Sequence, residues 1–217
     1  MQQVSPDAEH AGAAAAASAA ASRFRPAPEP QIEVPVDRGR QAVLAAVTRR
    51  YLNGERVDMS DVAHELGIGR ATLYRWAGNH DDVLAEVLAD QTEWLFRHTL
   101  VDDGTRGAER VLGVVEGFMR AVLESVPLKA LTARDPLLFL RLATMPGAIE
   151  DRAGQLLLEV LEQETAAGQL RLALPAPVLA PAIVRVADAL MYRHLVGAEE
   201  PDVRSALDLV RLLLRGD

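Results

Sequence analysis

The sequence predicts an all-α protein of about nine helices, and two observations carry this prediction. Large apolar residues recur at three- and four-residue steps through most of residues 37–215, which is the period of one face of a helix. Proline and glycine separate these segments, while the single alternating stretch, residues 169–174, is short and has no partner strand. Helices must then bury their apolar faces against one another.

Composition narrows the protein class before any motif is considered. The 217 residues suffice for one or two domains, and 49% hydrophobic with 25% charged residues is ordinary for a soluble globular protein. The absence of cysteine excludes disulfides, thiolate metal sites and a cysteine nucleophile, and it fits a reducing cytosol. No stretch outside the alanine tract approaches a membrane span. We therefore expect a cytoplasmic protein with no membrane partner.

Residues 1–36 are predicted to form a disordered tail. An alanine run is followed by four prolines among charged residues, with little large apolar surface to offset the entropy of ordering. Asp7 and Glu9 stand where a secretory signal would carry positive charge, which argues against such a signal.

The net charge of −8 argues against binding to nucleic acid, but the distribution of that charge does not. Residues 37–80 contain seven arginines and five acidic residues, whereas the tail and residues 81–217 are both net negative. A mildly basic head followed by an acidic body is compatible with a DNA reader.

Local signals place three helices in that head. The first is predicted over 37–52, ended by Asn53-Gly54, and the second is short and begins near Ser60, which we expect to cap it. Gly67-Ile68-Gly69 forms a tight turn before a third helix over about 70–76.

Asn79 is predicted to cap a fourth helix that runs to about residue 100, with acidic residues in its first turn. The predicted domains are a head over 37–82 and an all-α body over 83–217. Five further helices are predicted at about 106–126, 135–144, 147–167, 178–196 and 202–215.

The third helix carries the functional signal. A helix fits the major groove of DNA, and hydroxyl and guanidinium groups at its exposed side can bind phosphates and base edges. Each residue alone is more simply a polar surface residue, and Trp76 could instead turn into the core, but the set after Gly-Ile-Gly favours DNA contact. The candidate DNA-binding residues are Ser60, Arg70, Ala71, Thr72, Tyr74, Arg75 and Trp76.

These residues resemble the TetR family of transcriptional regulators over about residues 38–90. The similar elements are Asp61-Val62-Ala63, Leu66-Gly67-Ile68, Thr72-Leu73-Tyr74-Arg75-Trp76 and Asp82-Val83-Leu84. The resemblance implies a helix-turn-helix head, a connecting helix and a larger helical half that binds a ligand and dimerises. It also implies phosphate contacts from Thr72 and Tyr74, with the third helix in the major groove.

Three positions depart from the family pattern. Gly69 replaces a common capping serine, Ala77 replaces a phenylalanine that usually fills the head core, and His80 replaces a phosphate-binding lysine. Trp76 could compensate for the small Ala77. His80 remains a candidate DNA contact, but a neutral imidazole predicts a weaker salt dependence than lysine gives.

Residues 190–214 are similar to the end of QsdR-type regulatory domains of that family. A small apolar or amphipathic effector is the expected ligand of the C-terminal half, because pockets between helices are mostly apolar with a few polar groups. For each residue, ordinary core packing is the simpler alternative. The candidate lining residues are Phe118, Met119, Val122, Phe139, Leu142, Met145, Met191 and Tyr192, with Arg141, His98 and His194 as further polar candidates.

The last two helices carry apolar stripes that predict either packing within the chain or, as the resemblance implies, a homodimer. A two-fold dimer reads a near-palindromic double-stranded operator. The candidate dimer residues are Ala182, Val186, Leu190, Leu207, Val210 and Leu214.

The sequence thus predicts a DNA-binding regulator, a ligand-released repressor rather than an enzyme. No cofactor or metal is expected, because the five histidines are scattered and no phosphate loop, nucleophile elbow or triad-like motif appears. Two alternatives stay open: a helical small-molecule-binding protein or enzyme with a vestigial DNA head, and a protein–protein adaptor with no small ligand.

Overall fold

The computed structural model describes residues 36–100, 103–197 and 200–215, and all regular secondary structure in these residues is helical, as predicted. Residues 1–35 of the predicted tail lie outside the described residues. One turn of 3₁₀ helix, Arg193–Val196, accompanies ten α-helices. The helices are α1 (Val36–Leu52), α2 (Met59–Glu65), α3 (Arg70–Ala77), α4 (His80–Thr99), α5 (Gly107–Glu124), α6 (Val126–Arg134), α7 (Pro136–Thr144), α8 (Ala148–Ala166), α9 (Ala176–Met191) and α10 (Val203–Leu213).

The first three helices share one small core. Val43 and Val47 of α1 meet Val62 of α2 and Leu73 of α3, and all four side chains are fully buried. The helical period of apolar residues in each short segment therefore folds as the sequence predicts. Gly67 joins α2 to α3 at a φ of +64°, a conformation that glycine adopts without a β-carbon penalty.

The start of α2 corrects one prediction. Asp58, rather than Ser60, caps the helix, because the Asp58 Oδ1 accepts the backbone N–H of Ser60 at 2.7 Å. Ser60 also donates its hydroxyl to Asp58, and these hydrogen bonds lower the pKa of the Asp58 carboxyl.

Asn79 caps α4, as predicted. Its side chain accepts the backbone N–H groups of Asp81 and Asp82, while the Asp82 side chain accepts the Asn79 backbone N–H, completing a capping box. From this start α4 packs against α1, α5, α7 and α8. It is therefore the helix that connects the head to most of the body.

The body contains one helix more than predicted. The expected segment 106–126 ends at Glu124, and α6 follows after a single residue, Ser125. The Ser125 Oγ accepts the backbone N–H of Leu128 at 3.4 Å, and Pro127 lies in the first turn, where a missing N–H costs little. Pro127 therefore begins a helix here, although its position directly after the predicted segment 106–126 suggested the end of one.

The predicted helix over 178–196 also divides. α9 ends at Met191, and the chain continues through Tyr192 into the 3₁₀ turn. Among the described residues, no helix combines the length and apolar character that crossing a bilayer requires.

Candidate functional site

The exposed side of α3 is formed by four residues that we call the recognition face: Arg70, Ala71, Tyr74 and Arg75. Arg70 and Tyr74 are four positions apart, as are Ala71 and Arg75, so the four residues share one side of the helix. Leu73 and Ala77 point into the head core and are buried. Thr72 lies at the edge of this face and is partly buried. The helix begins at Gly69, which offers no side-chain cap and leaves open space where a β-carbon would stand.

The guanidinium groups of the recognition face are free to bind a ligand. Within the described residues, neither Arg70 nor Arg75 has an ion-pair or hydrogen-bond partner. By contrast, Arg49 and Arg50 on α1 both pair with Glu65. Two arginines of α1 are thus neutralised within the head, whereas those of α3 stay available, as binding to phosphates or guanine edges requires.

Trp76 departs from the set predicted to contact DNA. Its ring packs against the backbone of Gly39 on α1, and the side chain is only partly exposed. The indole consequently fixes α3 to α1, next to the small, buried Ala77.

Three further candidates, Ser60, Tyr74 and His80, line one cleft of about 670 Å³ between the head and α6–α7. Tyr74 is 47% exposed. The His80 Nδ1 lies 2.9 Å from Asp81 Oδ1. That contact, together with the charge of Arg141, lowers the pKa of the Asp81 carboxyl. His80 therefore shares its hydrogen-bonding capacity with a carboxylate of its own helix.

Two arginines of the body reach the head. Arg134, at the end of α6, donates to the carbonyl oxygens of Gly54 at 2.5 Å and Glu55 at 2.9 Å, in the turn after α1. Arg141 of α7 pairs with Asp81 in the first turn of α4 at 2.5 Å. Both contacts hold the body to points beside the recognition helix.

A large cavity of about 520 Å³ lies inside the body. Its wall is contributed by the end of α1, the middle of α4, the end of α5, the start of α6, and parts of α7, α8 and α9. The volume falls within the range of about 300–1,000 Å³ that small-molecule sites occupy. The cavity is large enough for an effector, and it touches a helix of the head directly through Tyr51 and Leu52.

The predicted lining residues are distributed between this cavity and its surroundings. Phe118, Val122, Phe139 and Tyr192 line the large cavity, and the Phe139 and Tyr192 rings meet edge to face at 5.0 Å. A smaller apolar pocket of about 40 Å³ is lined in part by Met119, Met191 and Phe118. Leu142 and Met145 line neither, and Met145 is 55% exposed.

The further polar candidates lie elsewhere. Arg141 is bound to Asp81. His98 stacks on Trp94 with ring centroids 3.9 Å apart, and its Nδ1 lies 2.7 Å from the Trp94 carbonyl. The His194 Nδ1 lies 3.0 Å from the Met191 carbonyl oxygen. None of these three lines the large cavity.

Sequence reasoning missed the carboxylates of the cavity wall, Asp188 on α9 and Glu150 on α8. Glu150 is buried and accepts the Arg185 Nε at 2.7 Å. Burial, together with the negative charge of Glu150, raises the pKa of Asp188 to about 7. The signal that points to Asp188 is its isolation, since Asp188 and Arg185 are the only charged residues in the α9 sequence.

The structure places the residues of the predicted dimer stripe at different depths. Val210 and Leu214 are buried in the core of their own chain, whereas Leu209 and Leu212 are 45% and 56% exposed. Leu209 and Leu212 lie off the apolar stripe of α10 that packs inward, and spacing alone does not tell whether such a stripe faces its own chain or a second subunit. Ala182, Val186, Leu190 and Leu207 remain partly exposed.

Comparisons with known proteins agree with this architecture. A family model described as the tetracyclin repressor-like C-terminal domain matches residues 106–215. The solved structure of the R. erythropolis transcriptional repressor QsdR, from the TetR family, superposes with a TM-score of 0.80 at 42% sequence identity. The match covers 83% of this chain and 96% of that one. No curated protein sequence gave a match.

Three observations therefore agree on one family. They are the helical architecture, the exposed helix α3 beside a helix-turn-helix core, and the similarity across most of the chain. The resemblance of residues 38–90 is confirmed, and so is that of the C-terminal end to QsdR-type domains. The chain belongs to the TetR family of DNA-binding transcriptional regulators.

Proposed function

We propose that this chain is a ligand-released transcriptional repressor that acts as a homodimer on a near-palindromic operator. One observation carries the proposal: α4 begins against the head at Asn79, and its middle, from Leu88 to Leu95, forms part of the cavity wall. A ligand that displaces this wall acts on the same helix that positions the recognition face. The similar QsdR is itself described as a transcriptional repressor.

On the DNA side, we propose that the head over 37–82 places α3 in the major groove. Arg70 and Arg75 supply guanine-reading or phosphate-binding groups, and Ala71 permits close approach. Thr72, Tyr74 and His80 supply hydrogen bonds to phosphate oxygens, and Ser60 joins them by turning its hydroxyl from Asp58 to the DNA. The unpaired guanidinium groups and the exposed Tyr74 support this assignment.

On the ligand side, the body over 83–217 binds a small apolar or amphipathic effector in the large cavity. The mechanism is a population shift, in which DNA favours one separation of the two heads and the effector favours another. A coupling free energy of about 1–3 kcal/mol changes DNA affinity about 5–150-fold. Arg134 and Arg141 support this route, since each joins the body to the head by hydrogen bonds.

The test is a gel-shift titration against the DNA upstream of the chain's own coding region, at several stated salt concentrations. We expect a discrete complex that is lost on Arg70→Ala and kept on Arg171→Ala, which removes an exposed arginine far from α3 in sequence. Footprinting should show a two-fold symmetric protected site. Absence of any protected duplex would overturn the proposal. It would favour a helical small-molecule-binding protein or enzyme with a vestigial DNA head.

A further inference from the structure

The wall of the large cavity has an unusual chemical composition. Carboxylates line it at Glu124, Glu150 and Asp188, and no arginine, lysine or histidine of the described residues does so. The chain contains nine aromatic residues, and five of them line this one cavity. They are Tyr51, Trp94, Phe118, Phe139 and Tyr192.

The two inner carboxylates are not equivalent. Glu150 is neutralised by Arg185, whose Nε lies 2.7 Å from Glu150 Oε1. Within the described residues, the Asp188 carboxyl has neither a hydrogen-bond donor nor a cation beside it, although it lies among apolar side chains. Asp188 is only partly exposed, at the wall of the cavity. Carboxylates withdrawn from water are normally paired, so a lone one facing a cavity marks a place for a positively charged partner.

Asp188 also occupies the junction between two spaces. It lines both the large cavity and the narrow apolar pocket that continues toward Phe96, Leu157 and Ile183. A ligand can therefore place a charged group at Asp188 while its apolar part remains among the aromatic rings.

We propose that the effector is a lipophilic organic cation, an amine or quaternary ammonium with an apolar tail, whose charge is balanced by Asp188. This inference rests on the proposed ligand-binding role of the body and names the chemical class of that ligand. A bound cation is stabilised by a carboxylate at low local dielectric and by the faces of aromatic rings, and both are present in this cavity. A carboxylate ligand meets repulsion from the unpaired Asp188 instead.

The proposal sets the direction of the pH dependence. Burial raises the pKa of Asp188 to about 7, so the carboxyl is largely protonated at pH 6 and largely ionised at pH 8. Other titratable groups on the cavity wall are Glu150, paired with Arg185, the phenols Tyr51 and Tyr192, and the outer Glu124. Burial raises the pKa of Tyr51 to about 12, so neither phenol ionises in this range. Cation affinity should therefore increase from pH 6 to pH 8.

Isothermal titration of the full chain with three probes tests the proposal. Decyltrimethylammonium, decanol and decanoate share a ten-carbon chain and carry positive, zero and negative charge. We expect the cation to bind at least about tenfold more tightly than the other two. Asp188→Asn should remove that preference and leave decanol affinity unchanged, whereas Glu162→Gln, on the exposed side of α8, should keep it.

Trp94→Leu provides a second variant that does not disturb the core, because the indole is 54% exposed at the cavity wall. This variant should lower the affinity for the cation more than the affinity for decanol. Equal or tighter binding of decanol or decanoate, or a preference that survives Asp188→Asn, overturns the inference, and so does binding of none of the three. Gel shifts with each probe separate this proposal from the proposed repressor function. Release of DNA by decanol or decanoate would support a ligand-released repressor and contradict a cationic effector.

Discussion

The ring of Trp76 lies against the backbone of Gly39, and no space remains there for a β-carbon. This contact joins the end of α3 to the start of α1. The neighbouring Ala77, where the family usually places a phenylalanine, is buried in the head core. The close approach of the indole to α1 therefore depends on glycine at residue 39.

Gly39→Ala should therefore destabilise the protein by about 1–3 kcal/mol, because overpacking must displace the indole or the helix. Gly113→Ala is the matched control: Gly113 is also helical, but its β-carbon would meet open space, so alanine should stabilise by up to about 1 kcal/mol. Urea unfolding measures both. Trp76→Leu should make Gly39→Ala nearly neutral; a Gly39→Ala protein as stable as the wild type would show that the ring is placed elsewhere.

Capping of α3 gives a second prediction about stability. Gly69 has φ −72° and ψ 150°, which suits a serine N-cap, so Gly69→Ser should stabilise by about 0.5–1 kcal/mol through the cap and the stiffer unfolded chain. Gly67→Ser is the matched control, two positions earlier. A β-carbon there also meets open space, but the backbone φ is +64°. That variant should lose stability in thermal unfolding. Equal effects at both positions would contradict the assigned turn geometry.

DNA binding should separate positioning contacts from base-reading contacts. Tyr74→Phe removes one hydroxyl from the recognition face and should weaken all operator sequences about equally. Arg70→Ala should cost about 1–3 kcal/mol and relax preference at one base pair if the guanidinium reads guanine. Competition gel shifts over single-base operator variants distinguish the two. Unchanged affinity in both variants would mean that α3 does not enter the groove.

How much of this the sequence predicts depends on how local each feature is. The head core of Val43, Val62 and Leu73 follows from helical periods within short segments, and the Asn79 cap depends on three neighbouring residues. The large cavity does not follow, because seven helices far apart in sequence meet around it. Asp188 acquires its raised pKa only from that assembly, which no single helix shows.

The inward side of α10 illustrates the same limit. Its apolar stripe suits packing within the chain or between subunits, and only the packing of α10 against α5 and α9 decides that Val210 is buried and Leu209 is exposed. We therefore predict that the outward leucines, rather than Val210, contact a second subunit.

Subunit association should accordingly respond to Leu209 and Leu212. Glutamate at both positions should give folded monomers in light scattering, because charge opposes burial of an exposed apolar face between subunits. Val210→Glu should instead unfold the chain, since that side chain is fully buried. Leu137→Glu, at an exposed leucine of α7, is the control and should leave the mass unchanged. A dimer that persists with both glutamates would place the interface on another surface.

Asp188 should also make stability depend on pH. Its pKa is about 7 in the folded protein and near its ordinary value of 3.8 when unfolded, so the native state binds more protons between about pH 4 and pH 7. Stability contributed by the protonated carboxyl is present below this window and is lost as pH rises through it. Asp188→Asn has no proton to lose, so its melting temperature should exceed that of the wild type by more at pH 8 than at pH 5. Glu162→Gln should follow the wild-type profile, and a pH-independent difference for Asp188→Asn would mean that the carboxyl is already ionised or solvated in the native cavity.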